Sequence, residues 1–222
     1  LSNFVKDHFI PTIKERSPET EIWFGTLSND KTCDLYWNGS RDKAGNQIKA
    51  LGLQWNTKKL VKGAANQGYM VFNSEHKCGN YPWLNNKASS VNDAHRDNFL
   101  ASMAPNNHAH GEETWDLLKE WIDEGVHSYN AWNMVLDTKG FNLDQQRKWP
   151  QNALLAVDKD ARTLKVTPAY YVFRHIGQYV DTGATRLGVG NANALAFRNP
   201  NGSIVIAAFN SNNNNSQTTV SV

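Results

Sequence analysis

Glu75 is the residue whose type and position most favour chemistry. It directly follows Gly68–Ser74, a run of mainly apolar and aromatic residues that predicts a buried strand. An ionised side chain has no packing reason to end such a strand, and a carboxylate held there can act as a nucleophile or as a base. An N-cap or a surface ion pair would explain the same residue without chemistry, so both interpretations stay open at this point.

Some aromatic side chains follow Glu75 closely in the sequence, and further aromatic and amide side chains lie in two other predicted strands. They are Gln54, Trp55, Tyr81, Trp83, Trp132 and Asn133. Aromatic rings present apolar faces on which the C–H face of a sugar can stack, and an amide donates to one hydroxyl while it accepts from another. The set therefore predicts a sugar-binding pocket, although packing inside the protein is the alternative for Trp55 and Trp132.

A second catalytic carboxyl group is harder to find in the sequence. Cleavage of a sugar linkage by a carboxylate nucleophile uses a second carboxyl group about 5–5.5 Å away. Glu112 and Glu113 are the other acids near a motif, but they are expected in the first turn of a helix, where the helix dipole favours negative charge. His76 could donate a proton, or it could orient a neighbour through a hydrogen bond. The chain therefore supplies one candidate nucleophile and no matched second acid.

The predicted elements bring these side chains to one end of a sheet. Buried strands are expected at Glu21–Leu27, Ile48–Trp55, Gly68–Ser74 and Val126–Leu136, and helices at Ser2–Glu15, 56–66 and Glu112–Glu124, with a kink or break at Pro11. Strands that alternate with helices or long segments predict parallel βα units. Four such units are half of an eight-stranded barrel, whose active site lies at the carboxyl ends of the strands.

The sequence changes in character after Trp149 and Pro150. Short strands are expected at Asn152–Val157, Thr163–Val166, Ala194–Arg198 and Ser203–Asn210, with a connecting helix near 170–179. Short strands separated by turn residues predict an all-β domain. We therefore predict two domains, a half-barrel with the nucleophile over 1–149 and a partial β-sandwich over 150–222. The Asn-rich end of the chain, 210–222, predicts either disorder or an additional strand.

Composition and charge argue against several classes of function. The net charge of the 222 residues is +2 with acids and bases interspersed, which gives no reason to expect a nucleic-acid or anionic-membrane partner. No apolar run reaches the ~18 residues that a membrane span needs. Cys33 and Cys78 permit one bridge but no disulfide framework, and His108 with His110 makes only a weak case for a metal. We expect no metal and no cofactor, and the eight Trp residues fit a carbohydrate ligand.

Several segments of the chain resemble glycoside hydrolase family 30, in the order in which that family carries them. They are Trp23–Thr26, Leu51–Asn56, Ser74–Trp83, Gly111–Trp115, Ser128–Asp137, Trp149–Asn152 and Thr167–Tyr171. The resemblance implies a TIM barrel with a side β-sandwich, and hydrolysis with retention of configuration. It also implies that Glu75 is the nucleophile, that Trp55 is the aromatic residue ending the sixth strand, and that Trp132 and Asn133 are the Trp-Asn pair of the last strand.

The family's general acid/base is a Glu in an Asn-Glu-Pro motif, and this sequence contains no such motif. We therefore expect an α/β chain that forms the last four βα units of a TIM barrel plus part of the sandwich. Such a chain would need a complementary N-terminal half, or a second copy of itself, as partner. The resemblance implies a retaining β-glycosidase for β-glucosidic or related linkages, secreted or periplasmic. A non-catalytic carbohydrate-binding fragment or a structural half-barrel is the alternative.

Overall fold

The computed structural model describes residues 1–27, 30–54, 59–77, 108–138, 140–141, 143–144, 152–190 and 192–210. The chain forms two compact units, the first of Leu1–Lys77 with Glu120–Trp132 and the second of Cys78–Lys119 with Asn133–Val222. The predicted division into 1–149 and 150–222 stays a prediction. No helix within the described ranges has the length and the apolarity needed to cross a bilayer.

A parallel sheet lies at the centre of the first unit. Its strands are β1 (Ile22–Leu27), β2 (Ile48–Gln54), β3 (Met70–Lys77) and β4 (Ser128–Trp132), hydrogen-bonded in the order β1-β2-β3-β4. Each neighbouring pair runs parallel. The predicted α/β class with a parallel sheet is therefore confirmed, whereas the half-barrel stays a prediction.

Helices precede and connect these strands. They are α1 (Ser2–Phe4), a π-helical turn (Val5–Phe9), α2 (Ile10–Arg16), α3 (Asp30–Ala44) followed by a 3-10 turn (Gly45–Gln47), α4 (Lys59–Asn66) and α5 (His108–Asp123). The interruption expected at Pro11 falls where the π-helical turn gives way to α2. Proline has no N–H to donate to the preceding turn, so the regular helix begins anew beside it.

The two faces of the sheet have different surroundings. Side chains alternate along a strand, and residues paired in parallel register point to the same side. Leu51, Leu53 and Val71 share one side and are fully buried. We call this side the helix face, because Trp37 of α3 contacts Phe24 there with the ring centroids 6.2 Å apart.

The opposite side, which we call the Glu75 face, is less covered. Trp23 lies on it with 50% of its surface exposed, and its ring packs on Phe72 with the centroids 5.1 Å apart. Next to these rings the backbones of Gly25 and Gly52 are paired. They approach so closely that a Cβ atom added to Gly25 would lie 2.2 Å from the carbonyl oxygen of Gly52.

A β-bulge near the end of β3 decides which face Glu75 occupies. Leu53 of β2 pairs with Asn73, but the next residue, Gln54, pairs with Glu75. Ser74 is therefore an extra residue in β3, and such an insertion shifts the alternation of side chains by one position. Without it Glu75 would share the helix face with Asn73. With it, Glu75 lies beside Gln54 on the opposite face.

The pairing of β3 with β4 contains the same insertion. Asn73 pairs with Tyr129 and His76 pairs with Ala131, so β3 uses one residue more than β4 over this stretch. Because the insertion also shifts the residue after Glu75, His76 lies on the helix face together with Asn73 and Tyr129.

Two small sheets, most of α5 and a further helix form the described part of the second unit. The sheets have the strand orders β5-β6-β7 and β10-β9-β8. The strands are β5 (Val135–Asp137), β6 (Leu155–Asp158), β7 (Thr163–Val166), β8 (Thr185–Leu187), β9 (Ala194–Arg198) and β10 (Ile204–Ala208), and the helix is α6 (Pro168–Gly177). Thr167 caps α6, because its Oγ1 accepts a hydrogen bond from the amide of Tyr170.

The prediction of one strand over Val126–Leu136 is wrong. The segment divides into β4, which belongs to the parallel sheet, and β5, which pairs with β6. Between them the amide of Asn133 donates to the carbonyl of Asn152 at 3.3 Å, and the carbonyl of Asn133 accepts from the amide of Leu154 at 3.2 Å. The composition of a segment does not show that its backbone changes partners halfway.

Asp158 stabilises the turn between β6 and β7. The amide of Ala161 donates to its Oδ1 at 3.0 Å, and Nζ of Lys165 lies 3.6 Å from its Oδ2. The hydrogen bond from Ala161 and then the charge of Lys165 lower the pKa of Asp158, because both favour the ionised carboxyl group. This contribution to stability is therefore present above the ordinary pKa of Asp and is lost as the pH falls below it.

Replacing Gly25 by Ala should destabilise the protein strongly. Gly25 has a φ angle of 127°, which other residues rarely adopt, and its new Cβ would overlap the Gly52 carbonyl oxygen. Relief requires the backbones of β1 and β2 to move apart. We expect the free energy of unfolding to fall by about 3 kcal/mol or more, as measured by urea denaturation.

Gly63→Ala is the matched control for this prediction. Gly63 lies inside α4, and the position of its missing Cβ has open space around it. The same chemical change should therefore raise the free energy of unfolding by up to ~1 kcal/mol through helix propensity. Equal effects of the two substitutions would contradict the close approach of the strands.

Candidate functional site

The carboxylate of Glu75 lies near the carboxyl end of β3 and is half-buried. Its Oε2 accepts a hydrogen bond from Nε2 of Gln54 at 2.8 Å. The two residues are neighbours in the register of β2 and β3, so the bond is a direct result of the bulge at Ser74. In a parallel α/β sheet, ligands bind beyond this end of the strands.

The bond from Gln54 orients the carboxylate without neutralising it. A neutral amide donor next to an ionised carboxylate forms a charge-assisted hydrogen bond, which is stronger than a bond between two neutral groups. Gln54 cannot transfer a proton, because an amide does not titrate in the physiological range. The pair therefore suits a carboxylate that acts as a nucleophile in a fixed orientation.

Trp132 occupies the same face of the sheet as Glu75. It ends β4 and pairs with Lys77, one residue beyond the pair of Ala131 with His76. Since Ala131 points to the helix face, Trp132 points to the Glu75 face, where it is half-buried. Its indole ring therefore adds an apolar surface to the side of the sheet that carries the carboxylate.

The remaining predicted site residues are distributed differently. Asn133 belongs to the second unit, where its backbone pairs with Asn152 and Leu154. Trp55, Tyr81 and Trp83 lie outside the described residues, so their parts in a sugar pocket stay predictions. Of the predicted set, the structure brings Gln54 into contact with Glu75 and places Trp132 on the same face.

His76 does not share a face with Glu75, although the two are adjacent in sequence. Its imidazole is only 4% exposed and packs against Trp121, with the ring centroids 5.2 Å apart, and against Tyr129 at 5.8 Å. The idea that His76 donates a proton beside the nucleophile is therefore wrong for this structure. The bulge turns Glu75 outwards and leaves the next side chain in the core.

Glu112 and Glu113 have a different setting from the one expected. The helix α5 begins at His108, before the predicted start at Glu112, so neither acid lies in its first turn. The segment from His108 to His110 joins the helix, and the carbonyl of His110 accepts from Oγ1 of Thr114 at 2.8 Å. The helix dipole therefore does not explain these acids, which both belong to the second unit.

The two histidines of the predicted weak metal motif have separate environments. His110 is fully buried, with a ring nitrogen 3.3 Å from Nδ2 of Asn152. His108 is exposed, with Nε2 3.2 Å from the carbonyl of Asn210 and its ring against Phe209. Over the described stretches, no three His, Cys, Asp or Glu side chains come together in a way that could hold a metal ion.

Sequence reasoning did not single out Asn130. Its side-chain Nδ2 donates to the backbone carbonyl of Asn73 at 2.9 Å, across from β4 to the bulged part of β3. The signal in the sequence was an Asn in the middle of an apolar run, since asparagine is depleted in strands unless its amide has a local partner.

Solved structures that share the fold of this chain include two proteins that are each longer than it. The chain aligns with the crystal structure of SrfJ from Salmonella typhimurium at a TM-score of 0.63 and 18% sequence identity, over 92% of this chain and 44% of that one. It aligns with the endo-β1,6-glucanase BT3312 at a TM-score of 0.59 and 16% identity, over 91% and 44% respectively. The chain thus spans less than half the length of either protein, and the likeness establishes a shared fold. No protein-family model and no curated protein sequence matches the chain.

Replacing His76 by Ala should reduce stability and leave the chemistry of Glu75 intact. The substitution removes a buried ring from between Trp121 and Tyr129, and such cavities cost about 2–4 kcal/mol. Urea denaturation measures the loss. As a control, His8→Ala on the exposed surface of the first helical segment should change stability by less than about 0.5 kcal/mol.

Proposed function

We propose that this protein is a retaining β-glycosidase in which Glu75 is the nucleophile. The observation that carries the proposal is the half-buried Glu75 carboxylate at the carboxyl end of a parallel strand, held by Gln54 at 2.8 Å. Trp132 on the same face supplies a surface against which a sugar ring can stack. An oriented carboxylate and an aromatic ring on one face of the sheet are two of the features that a glycosidase site needs.

The fold supports this class of function. One of the similar structures is an endo-β1,6-glucanase, and the segments from Trp23 to Tyr171 resemble glycoside hydrolase family 30 in order. We infer that the parallel sheet is half of a TIM barrel and that residues 150–222 form part of a side β-sandwich. Because one fold can host several activities, the proposal depends on the site residues, and the shared fold is supporting evidence only.

The proposed reaction has two steps. In the first, an oxygen of Glu75 attacks the anomeric carbon, the bond to the leaving oxygen breaks, and a covalent glycosyl–enzyme forms. A second carboxyl group protonates the leaving oxygen. In the second step that group removes a proton from water, which attacks the anomeric carbon and releases Glu75. Gln54 keeps the Glu75 carboxylate aligned for attack.

The second carboxyl group is the part of this mechanism that the sequence leaves open. No Asn-Glu-Pro segment occurs in the chain, and sequence reasoning assigns no second acid to the Glu75 face. We propose that a complementary N-terminal half, or a second copy of the chain, supplies the acid and covers the Glu75 face. The substrate class is a β-glucoside or β-glucan, and the protein acts outside the cytoplasm, in the periplasm or secreted.

A carbohydrate-binding protein without hydrolysis is the second candidate. It is favoured by the same lack of a matched acid in the sequence, because Trp132 and Gln54 could hold a sugar without cleaving it. The two candidates differ in one measurable respect. An aryl glucoside with a good leaving group needs little protonation, so a functional Glu75 should release the phenol even where the acid is weak or missing.

Replacing Glu75 by Gln should abolish hydrolysis and leave the fold unchanged. The amide is nearly the same size as the carboxylate but cannot form the glycosyl–enzyme. We expect the release of 4-nitrophenol from 4-nitrophenyl β-glucoside to fall about 1,000-fold or more, while the melting temperature changes little. The matched control is Glu15→Gln on the exposed surface of α2, which should keep the parental rate. A Glu75→Gln variant with more than about a tenth of the parental rate would show that Glu75 is not the nucleophile.

The 222-residue chain alone should associate in solution. Within the described part of the chain, β1 and β4 are the outer strands of the parallel sheet, and Trp23 on the Glu75 face is 50% exposed. Open edges and uncovered aromatic surface favour pairing with another chain. Sedimentation velocity at micromolar concentration should reveal a dimer or larger species, and Trp23→Glu should shift it towards the monomer. A parental chain that sediments as a stable monomer would contradict this proposal.

A further inference from the structure

We propose that Ser74 and Asn130 are positioning residues for Glu75, because together they fix the β-bulge that turns its carboxylate onto the Glu75 face. This inference rests on the proposed function, since it takes Glu75 as the nucleophile. It assigns roles to two residues that do not belong to the predicted sugar pocket and whose hydrogen bonds go to backbone carbonyls. One hydrogen bond joins the bulged strand β3 to β2, and the other joins it to β4.

The first bond ties the inserted residue to β2. Oγ of Ser74 donates to the carbonyl of Leu53 at 3.1 Å. Leu53 lies where the register of the two strands shifts, because Leu53 pairs with Asn73 and the next residue pairs with Glu75. A bulge interrupts the backbone ladder, and an unpaired carbonyl is costly to bury. The hydroxyl supplies a donor at the interruption.

The second bond ties the residue before the insertion to β4. Nδ2 of Asn130 donates to the carbonyl of Asn73 at 2.9 Å. Asn130 falls between Tyr129 and Ala131, which pair with Asn73 and His76. It therefore lies opposite the stretch in which β3 carries its extra residue. The amide side chain therefore supplies a donor to a strand carbonyl beside the insertion.

The two bonds matter for Glu75 because of the period of a strand. If the bulge were lost and the register advanced by one residue, Glu75 would move to the helix face and His76 to the face of Gln54. Short of that slip, a looser bulge lets the carboxylate leave its place beside Gln54. A displacement of about 1 Å at a nucleophile costs up to about 100-fold in rate.

The expected kinetic signature is a loss in kcat with little change in KM. Asn130→Ala and Ser74→Ala each remove one donor, and we expect kcat for 2,4-dinitrophenyl β-glucoside to fall about 10- to 100-fold in each. Ser74→Thr retains the hydroxyl and should keep a kcat close to that of the parent. Ser128→Ala, an exposed residue of the same strand as Asn130, is the control and should keep the parental kinetics.

The same substitutions in a Glu75→Ala variant show whether they act on the position of Glu75 or on the site as a whole. In Glu75→Ala, added azide can attack the anomeric carbon in place of the carboxylate, so that a C–N bond forms and dinitrophenolate leaves with its electron pair. This rescued reaction does not use the position of the Glu75 side chain. Asn130→Ala should therefore reduce the rescued rate far less than it reduces the rate in the parent.

The rate at which Glu75 is covalently labelled gives a second measure of how well its carboxylate is positioned. A 2-deoxy-2-fluoro-β-glucosyl fluoride traps the glycosyl–enzyme, and peptide mass spectrometry follows the rate at which Glu75 is labelled. We expect Asn130→Ala and Ser74→Ala to slow the labelling by the same factor as kcat, and Ser128→Ala to leave it unchanged. This measurement does not depend on rescue by azide, and the melting temperature of each variant confirms that it is folded.

The outcomes distinguish this inference from the proposed function. If Glu75→Ala retains parental activity, or the parental protein neither turns over the substrate nor becomes labelled, the proposed function is wrong and the inference fails with it. If the parent is active but Asn130→Ala and Ser74→Ala label at the parental rate, only the positioning role is wrong. Equal losses in the parental and the azide-rescued backgrounds would also overturn the positioning role, because they would indicate support of the whole site.

Discussion

The period of a β-strand is the constraint on which the candidate site depends. Successive side chains point to opposite faces, so one inserted residue exchanges the faces of everything that follows it. In β3 the insertion at Ser74 comes directly before Glu75. It places an ionised side chain on the less covered face and an imidazole in the core. A carboxylate would be tolerated less well in the core, because burying an unpaired charge costs far more than burying an uncharged polar group.

Close packing of the backbone supports this arrangement from the side of β1. Gly25 and Gly52 pair where a side chain on Gly25 would separate the strands. Phe72 lies in the same row as Gly25 and Gly52, and its ring packs on Trp23, which lies further towards the amino ends of the strands. Gln54 and Glu75 lie on the other side of this row, towards the carboxyl ends. The Glu75 face therefore combines an apolar part with a polar part along the same strands, as expected for a sheet that packs at one end and binds a ligand at the other.

The chain passes from the first unit to the second directly after β4, between Trp132 and Asn133. Trp132 ends a strand of the parallel sheet, and Asn133, the next residue, already pairs with Asn152 and Leu154. The resemblance to glycoside hydrolase family 30 treats these two residues as one Trp-Asn pair. In the structure, the backbone changes partners between these two residues. Trp132 pairs within the parallel sheet, whereas Asn133 pairs within the second unit.

The sequence alone determined the elements and the candidate nucleophile. Short apolar runs predicted the strands that became β1, β2, β3 and β4, because burial on a sheet requires that composition over that length. A carboxylate directly after such a run identified Glu75, and Gln54 followed from its position at the end of the neighbouring run. The α/β class followed from the alternation of strands with helices.

Only the tertiary structure decided which side chains meet. The hydrogen bond from Gln54 to Glu75, the burial of His76 and the contact of Asn130 with Asn73 all follow from the register of three strands. Register depends on hydrogen bonds between segments distant in sequence, and a one-residue bulge leaves no mark in composition or periodicity. The early start of α5 and the division of Val126–Leu136 have the same cause, since packing and backbone partners, not local propensity, place those boundaries.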